Sequence, residues 1–103
     1  MQILIHTDHN IDDREDLADQ VSSEVEVALS QVSERVTRVE VHLSDENSDT
    51  KGGIDALRCV MEARLEGHHA IAVSHQATTL DEAVHGAADK LYRLIETTLG
   101  RLD

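Results

Sequence analysis

Val36-Thr37-Arg38-Val39-Glu40-Val41-His42-Leu43-Ser44 alternates: Val39, Val41 and Leu43 fall on one side, and Arg38, Glu40 and His42 on the other. Successive side chains of a strand point to opposite faces, so this pattern predicts a strand with one covered and one open face. The same period of two returns in residues 57–66. There Leu57, Cys59, Met61, Ala63 and Leu65 point in, while Arg58, Val60, Glu62, Arg64 and Glu66 point out. Between these strands, residues 45–56 are polar and carry Gly52-Gly53, which predicts a loop. After a turn at Gly67-His68-His69, residues 70–76 predict another strand with Ile71 and Val73 inward. Residues 2–7 alternate as well, with Ile3 and Ile5 on one side and Gln2, Leu4 and His6 on the other.

Two segments change to the helical period. Leu17, Val21, Val25, Ala28, Leu29 and Val32 predict a first helix over 13–34, opened by the acidic cap Asp12-Asp13-Arg14-Glu15. Leu80, Val84, Ala87, Leu91, Leu94, Ile95 and Leu99 predict a second over 80–102. Thr79-Leu80-Asp81-Glu82 spells a capping box at its start. Gly86 inside this helix costs about 1 kcal/mol of propensity relative to Ala, which points to a close approach by a neighbouring element.

The order is therefore βαβββα. Strands with one apolar face imply a four-stranded sheet covered on one side, with both helices packed there. This is an α+β two-layer sandwich. Its last five elements have the order of a double-stranded-RNA-binding domain, with a strand added in front. The chain of 103 residues is expected to form one domain over 1–103. Lys and Arg number 9 against 21 Asp and Glu, a formal charge of −12. Such a surface repels phosphate backbones and anionic membranes, and Tyr92 is the only aromatic available to stack on a base. No apolar run is long enough to span a bilayer, and the N-terminal residues lack the features of a secretory signal. The single cysteine, Cys59, fits a reducing compartment and forms no internal disulfide.

Several collinear stretches carry a resemblance. They are Met1-Gln2-Ile3, then Arg35-Val36-Thr37-Arg38-Val39-Glu40-Val41, then Met61-Glu62-Ala63-Arg64-Leu65-Glu66. In the second helix they are Leu80-Asp81-Glu82-Ala83-Val84 and Asp89-Lys90-Leu91. Together they resemble the ribosome hibernation factor family of hibernation promoting factor and the ribosome-associated inhibitor RaiA, also called sigma-54 modulation proteins. The resemblance covers nearly the whole chain and is closest to the short, single-domain type. It implies a bacterial cytoplasmic protein that binds the small ribosomal subunit, both its rRNA and its proteins. There it inhibits translation or promotes ribosome hibernation under stress, and it catalyses nothing. The contacts so implied are basic residues reaching rRNA phosphates: Arg35, Arg38, Arg64, Lys90 and Arg93. Lys90 and Arg93 share a helix face, being three residues apart.

This chain departs from the basic helices of that family. The first helix carries Asp13, Glu15, Asp16, Asp19, Glu24, Glu26 and Glu34 against Arg14. An alternative reading is thus a diverged acidic member that has lost rRNA binding and serves as a protein–protein interaction module. The open sheet face, with Leu4, Val60 and Ala72 among charges, is a candidate surface for self-association as a homodimer.

Other constellations are weaker. His6-Thr7-Asp8-His9 offers ligand types suited to zinc or nickel, and His42 joins His6 if their strands are neighbours. His6 and His9, however, fall on opposite sides of an extended chain, and the spacing sets no third ligand. The expectation is solvated histidines, with no metal, cofactor or small-molecule substrate. Asp45-Glu46-Asn47-Ser48-Asp49 opens like a calcium loop, but Thr50 and Ala56 stand where that loop needs Gly and Glu. Cys59 faces inward and reads as an inert buried thiol.

Overall fold

β2 (Val36–Asp45) lies at the centre of the architecture, paired on one side with β1 (Gln2–Thr7) and on the other with β3 (Leu57–Leu65). β4 (Ile71–Ala77) completes a four-stranded sheet of order β1-β2-β3-β4. The computed structural model describes residues 1–8, 15–45 and 57–100. The expected loop after Asp45, the acidic cap before Glu15 and His9 lie outside these residues. β1 runs parallel to β2, whereas β2–β3 and β3–β4 are antiparallel. A parallel neighbour needs a crossover connection, and α1 (Glu15–Ala28) lies on the chain between β1 and β2.

The alternation resolves as the sequence predicts. Val39, Val41, Leu43, Cys59, Met61 and Ala63 are fully or almost fully buried. They meet Val21, Val25, Ala83, Ala87, Leu91 and Ile95 from the helices, and Leu29 just after α1, in one core. Both helices therefore cover the same face. Val36 is buried too, although it stands three residues from Val39. A register irregularity between Val36 and Arg38 accommodates both, and Thr37 there donates its hydroxyl to the Arg64 carbonyl at 3.1 Å.

The first helix is shorter than its apolar stripe predicts. α1 ends at Ala28, and residues Ser30–Arg35 form a 3-10 helix. Leu29 donates the last α-type bond, to Val25 O at 2.9 Å, while Val32 bonds back only three residues, to Leu29 O at 3.0 Å. Ser33 Oγ donates to Ser30 O at 3.3 Å, the local competition through which serines weaken a helix interior. The continuous helix over 13–34 is corrected accordingly.

α2 (Leu80–Gly100) begins with the two ends of its capping box, Thr79 and Glu82, in contact. Thr79 Oγ1 accepts from the Glu82 backbone N–H at 3.1 Å and donates to the Glu82 carboxylate at 3.1 Å. Gly86 sits against the His75 ring of β4, and a Cβ built there would overlap that ring. The close approach expected at this glycine is a helix–strand contact. No helix among the described residues is long and apolar enough to cross a membrane.

Candidate nucleic-acid interface

The alternation that buries Val39 and Val41 turns Arg38, Glu40 and His42 to the open face. Pairing register then decides which cations meet. Arg38 stands opposite Arg64, and Gln2 is the Arg38 partner on β1. Arg35 ends the 3-10 helix just before β2, and its carbonyl accepts from the Glu66 N–H at 3.1 Å. Arg35, Arg38 and Arg64 thus gather at the start of β2 and the end of β3.

The neighbouring row holds the opposite charge. Glu40 stands opposite Glu62. Arg38 Nη2 donates to Glu40 Oε2 at 2.7 Å, while Arg38 Nε is buried with no hydrogen-bond partner among the described residues. This hydrogen bond, more than any other influence, holds the Glu40 carboxyl below its ordinary range and raises the Arg38 guanidinium. Arg38 is therefore partly neutralised from within, whereas Arg64 is exposed.

The helical cations lie elsewhere. α2 passes beside β4 so that Lys90 Nζ donates to the Ser74 carbonyl at 3.0 Å. Lys90 and Arg58 both line a shallow polar cleft of about 370 Å³ at this sheet edge, with Ser74, His75 and Gln76. The sequence reading missed Arg58. Its outward position on β3 was legible, but its meeting with Lys90 depends on where α2 docks. Arg93 Nη2 lies 3.1 Å from Asp89 Oδ2 one turn earlier, with the Arg93 side chain 76% exposed. An ion pair this exposed contributes about 0–1 kcal/mol, so a phosphate can displace the aspartate at little cost. The five expected contacts therefore fall into two groups, one at the β2–β3 end and one along α2 and the β4 edge.

A group of acids lies between the helices. Asp19, Glu24, Asp81 and Asp89 line a groove of about 810 Å³ between α1 and α2, floored by Ala28, Ala88 and Tyr92. Val27 stands on its rim, 75% exposed. His85 Nδ1 lies 3.0 Å from Glu24 Oε1 across the two helices. The Tyr92 hydroxyl sits 2.8 Å from Gln31 Oε1 and 2.9 Å from Glu96 Oε2, and the Glu96 carboxylate raises its pKa.

Known proteins share this arrangement of elements. The N-terminal domain of Thermus thermophilus Protein Y superimposes with a TM-score of 0.72 at 18% identity, covering 95% of this chain and 99% of that one. A ribosomal subunit interface protein from Coxiella burnetii superimposes with a TM-score of 0.77 at 10% identity, covering 97% and 99%. At such identities the likeness is one of fold. No curated protein matches the chain in sequence. The family model described as sigma 54 modulation protein / S30EA ribosomal protein matches residues 4–103. A match over nearly the whole length, on a fold built from the same elements, places this chain in the family of sigma-54 modulation and S30EA ribosomal proteins.

Proposed function

We propose that this protein docks on the small ribosomal subunit and restrains translation, as a hibernation factor does for idle ribosomes. The observation that carries this reading is the family match across residues 4–103. One solved neighbour is itself described as a ribosomal subunit interface protein. The role is one of binding, with no substrate turned over. Arg35, Arg38 and Arg64 supply one set of rRNA phosphate contacts, and Lys90 and Arg93, joined by Arg58, supply the other.

The formal charge of −12 does not forbid this. At physiological ionic strength exposed charges are screened beyond about 8 Å, so a phosphate responds mainly to the cations beside it. Of the carboxylates in the interhelical groove, Asp89 pairs with Arg93, and a phosphate bound there displaces it. Arg38 is the weakest of the five contacts, because releasing Glu40 leaves that carboxylate beside Glu62.

Adding the purified protein to a bacterial cell-free translation reaction tests the proposal. Protein synthesis falls with dose, and the Lys90→Glu/Arg93→Glu variant relieves the inhibition. Unchanged synthesis at a saturating dose of folded protein contradicts it.

A second reading rests on the groove between α1 and α2. Its four carboxylates and the exposed Val27 suit a basic segment of a protein with an apolar anchor. Capture that survives nuclease treatment and is lost in Val27→Lys favours this reading; capture abolished by nuclease counts against it.

A further inference from the structure

His6 on β1 and His42 on β2 are register partners on the open face. Their imidazoles stack with centroids 4.7 Å apart and planes 14° from parallel. Glu40, two residues before His42 on the same face, places Oε1 at 3.2 Å from His6 Nε2. One ligand atom from each of the three lies within 4.8 Å of the other two. Among the described residues this is the one such group of three. We propose that His6, Glu40 and His42 form a binding site for a late first-row divalent transition-metal ion, for which zinc is the probe.

The donor set matches the ion. Two imidazoles and one carboxylate suit zinc, nickel or copper, and three protein ligands leave a further position to water on a face open to solvent. Bonds of about 2.0–2.2 Å in a tetrahedral site place ligand atoms roughly 3.3–3.6 Å apart. The present separations need to contract by little more than 1 Å. Lone pairs lie in the ring planes, so stacked imidazoles do not yet aim at one point. Small rotations of the two side chains bring them together while the strand pairing keeps the backbones fixed. His6 is half exposed, which leaves room for this movement.

The second carboxylate oxygen is already held. Arg38 Nη2 donates to Glu40 Oε2 at 2.7 Å and leaves Oε1 turned to His6. Hydrogen-bonded outer partners of this kind orient a ligating carboxylate. The positive charge of Arg38 opposes a cation, and Glu62, opposite Glu40 in the register, offsets it. The sequence offers His6, His9 and His42 as candidate ligands and assures no third one beside His6 and His42. Glu40 supplies it, and His9 is not needed. The bound ion would tie the edge strand β1 to β2. This inference does not depend on the ribosomal reading.

Calorimetric titration of tag-free protein with zinc chloride at pH 7.5, with native mass spectrometry, tests it. One equivalent binds more tightly than any other. His6→Ala, His42→Ala and Glu40→Gln each weaken that site by at least about tenfold, the scale on which even outer partners of a metal act. His68→Ala/His69→Ala and His9→Ala leave it intact. In NMR spectra zinc shifts the imidazole signals of His6 and His42 and spares His85. Circular dichroism of each variant shows that the fold is retained. The absence of a first tight equivalent overturns the inference, as does one that survives loss of His6 and His42. A site abolished by His9→Ala but not by Glu40→Gln overturns it equally.

Discussion

Gly86 lies where α2 presses on β4, and the ring of His75 occupies the space a side chain would need. Helix propensity and packing oppose each other there. Gly86→Ala gains up to about 1 kcal/mol of propensity. Overpacking against a ring that must shift as a whole costs about 1–3 kcal/mol, so the net effect is destabilising. In a His75→Ala background the same substitution stabilises. Urea unfolding of the four proteins in this cycle gives the sign directly; stabilisation by Gly86→Ala alone contradicts the contact. Cys59 is a second residue governed by its surroundings, because burial pushes its thiol up to about 12. The folded state holds this proton more tightly than the unfolded chain. Its contribution to stability is complete below the unfolded thiol's pKa and is lost as pH rises from there toward 12. At pH 8 a disulfide reagent therefore labels the native protein only through opening of the fold, far more slowly than the urea-unfolded protein; immediate full labelling contradicts the burial. Glu40 has the opposite sign. Its lowered carboxyl contributes stability above the ordinary glutamate range, and that contribution is lost as pH falls through its folded value. The sequence revealed the inward thiol and the crowded glycine, since both follow from period and composition. It did not reveal the contact between Glu40 and His6, because His6 comes from another strand.

At the scale of elements, α2 owes its start to Thr79, whose hydroxyl both accepts from and donates to Glu82. Thr79→Ala should cost about 1 kcal/mol, read as a lower urea midpoint with an unchanged slope. A change within a few tenths contradicts the capping account. α1 shows what periodicity leaves out. The apolar stripe through Val32 continues, but Ser30 and Ser33 lie in a 3-10 helix after Ala28. A stripe records which side chains face the core, and a 3-10 segment can continue it briefly. The strands show the same division. Alternation placed Arg38, Glu40, His42 and Arg64 on one face. Which of them touch depends on register and strand order, set by the whole core and recorded in no single strand. For the same reason the sequence separated Arg58 from Lys90, which α2 brings to one cleft.

For the whole molecule the question is how a chain of net charge −12 meets a phosphate-rich partner. The proposed answer is placement: Lys90 and Arg58 share a cleft at the β4 edge, while four carboxylates line the groove between the helices. Each phosphate contact contributes about 0.7–0.9 to the slope of log affinity against log salt. The double variant Lys90→Glu/Arg93→Glu should thus bind small subunits with a slope shallower by roughly 1.4–1.8. An unchanged slope with a uniform loss of affinity would mean that the substitutions act on the fold instead. The most direct test of ribosome docking is co-sedimentation of the purified protein with bacterial 30S and 70S particles at low and moderate salt. The account predicts binding to both that fades as salt rises and is weaker in Lys90→Glu/Arg93→Glu. A folded protein that stays in the supernatant at both salt concentrations, or a charge-reversed variant that pellets as the parent does, would contradict it.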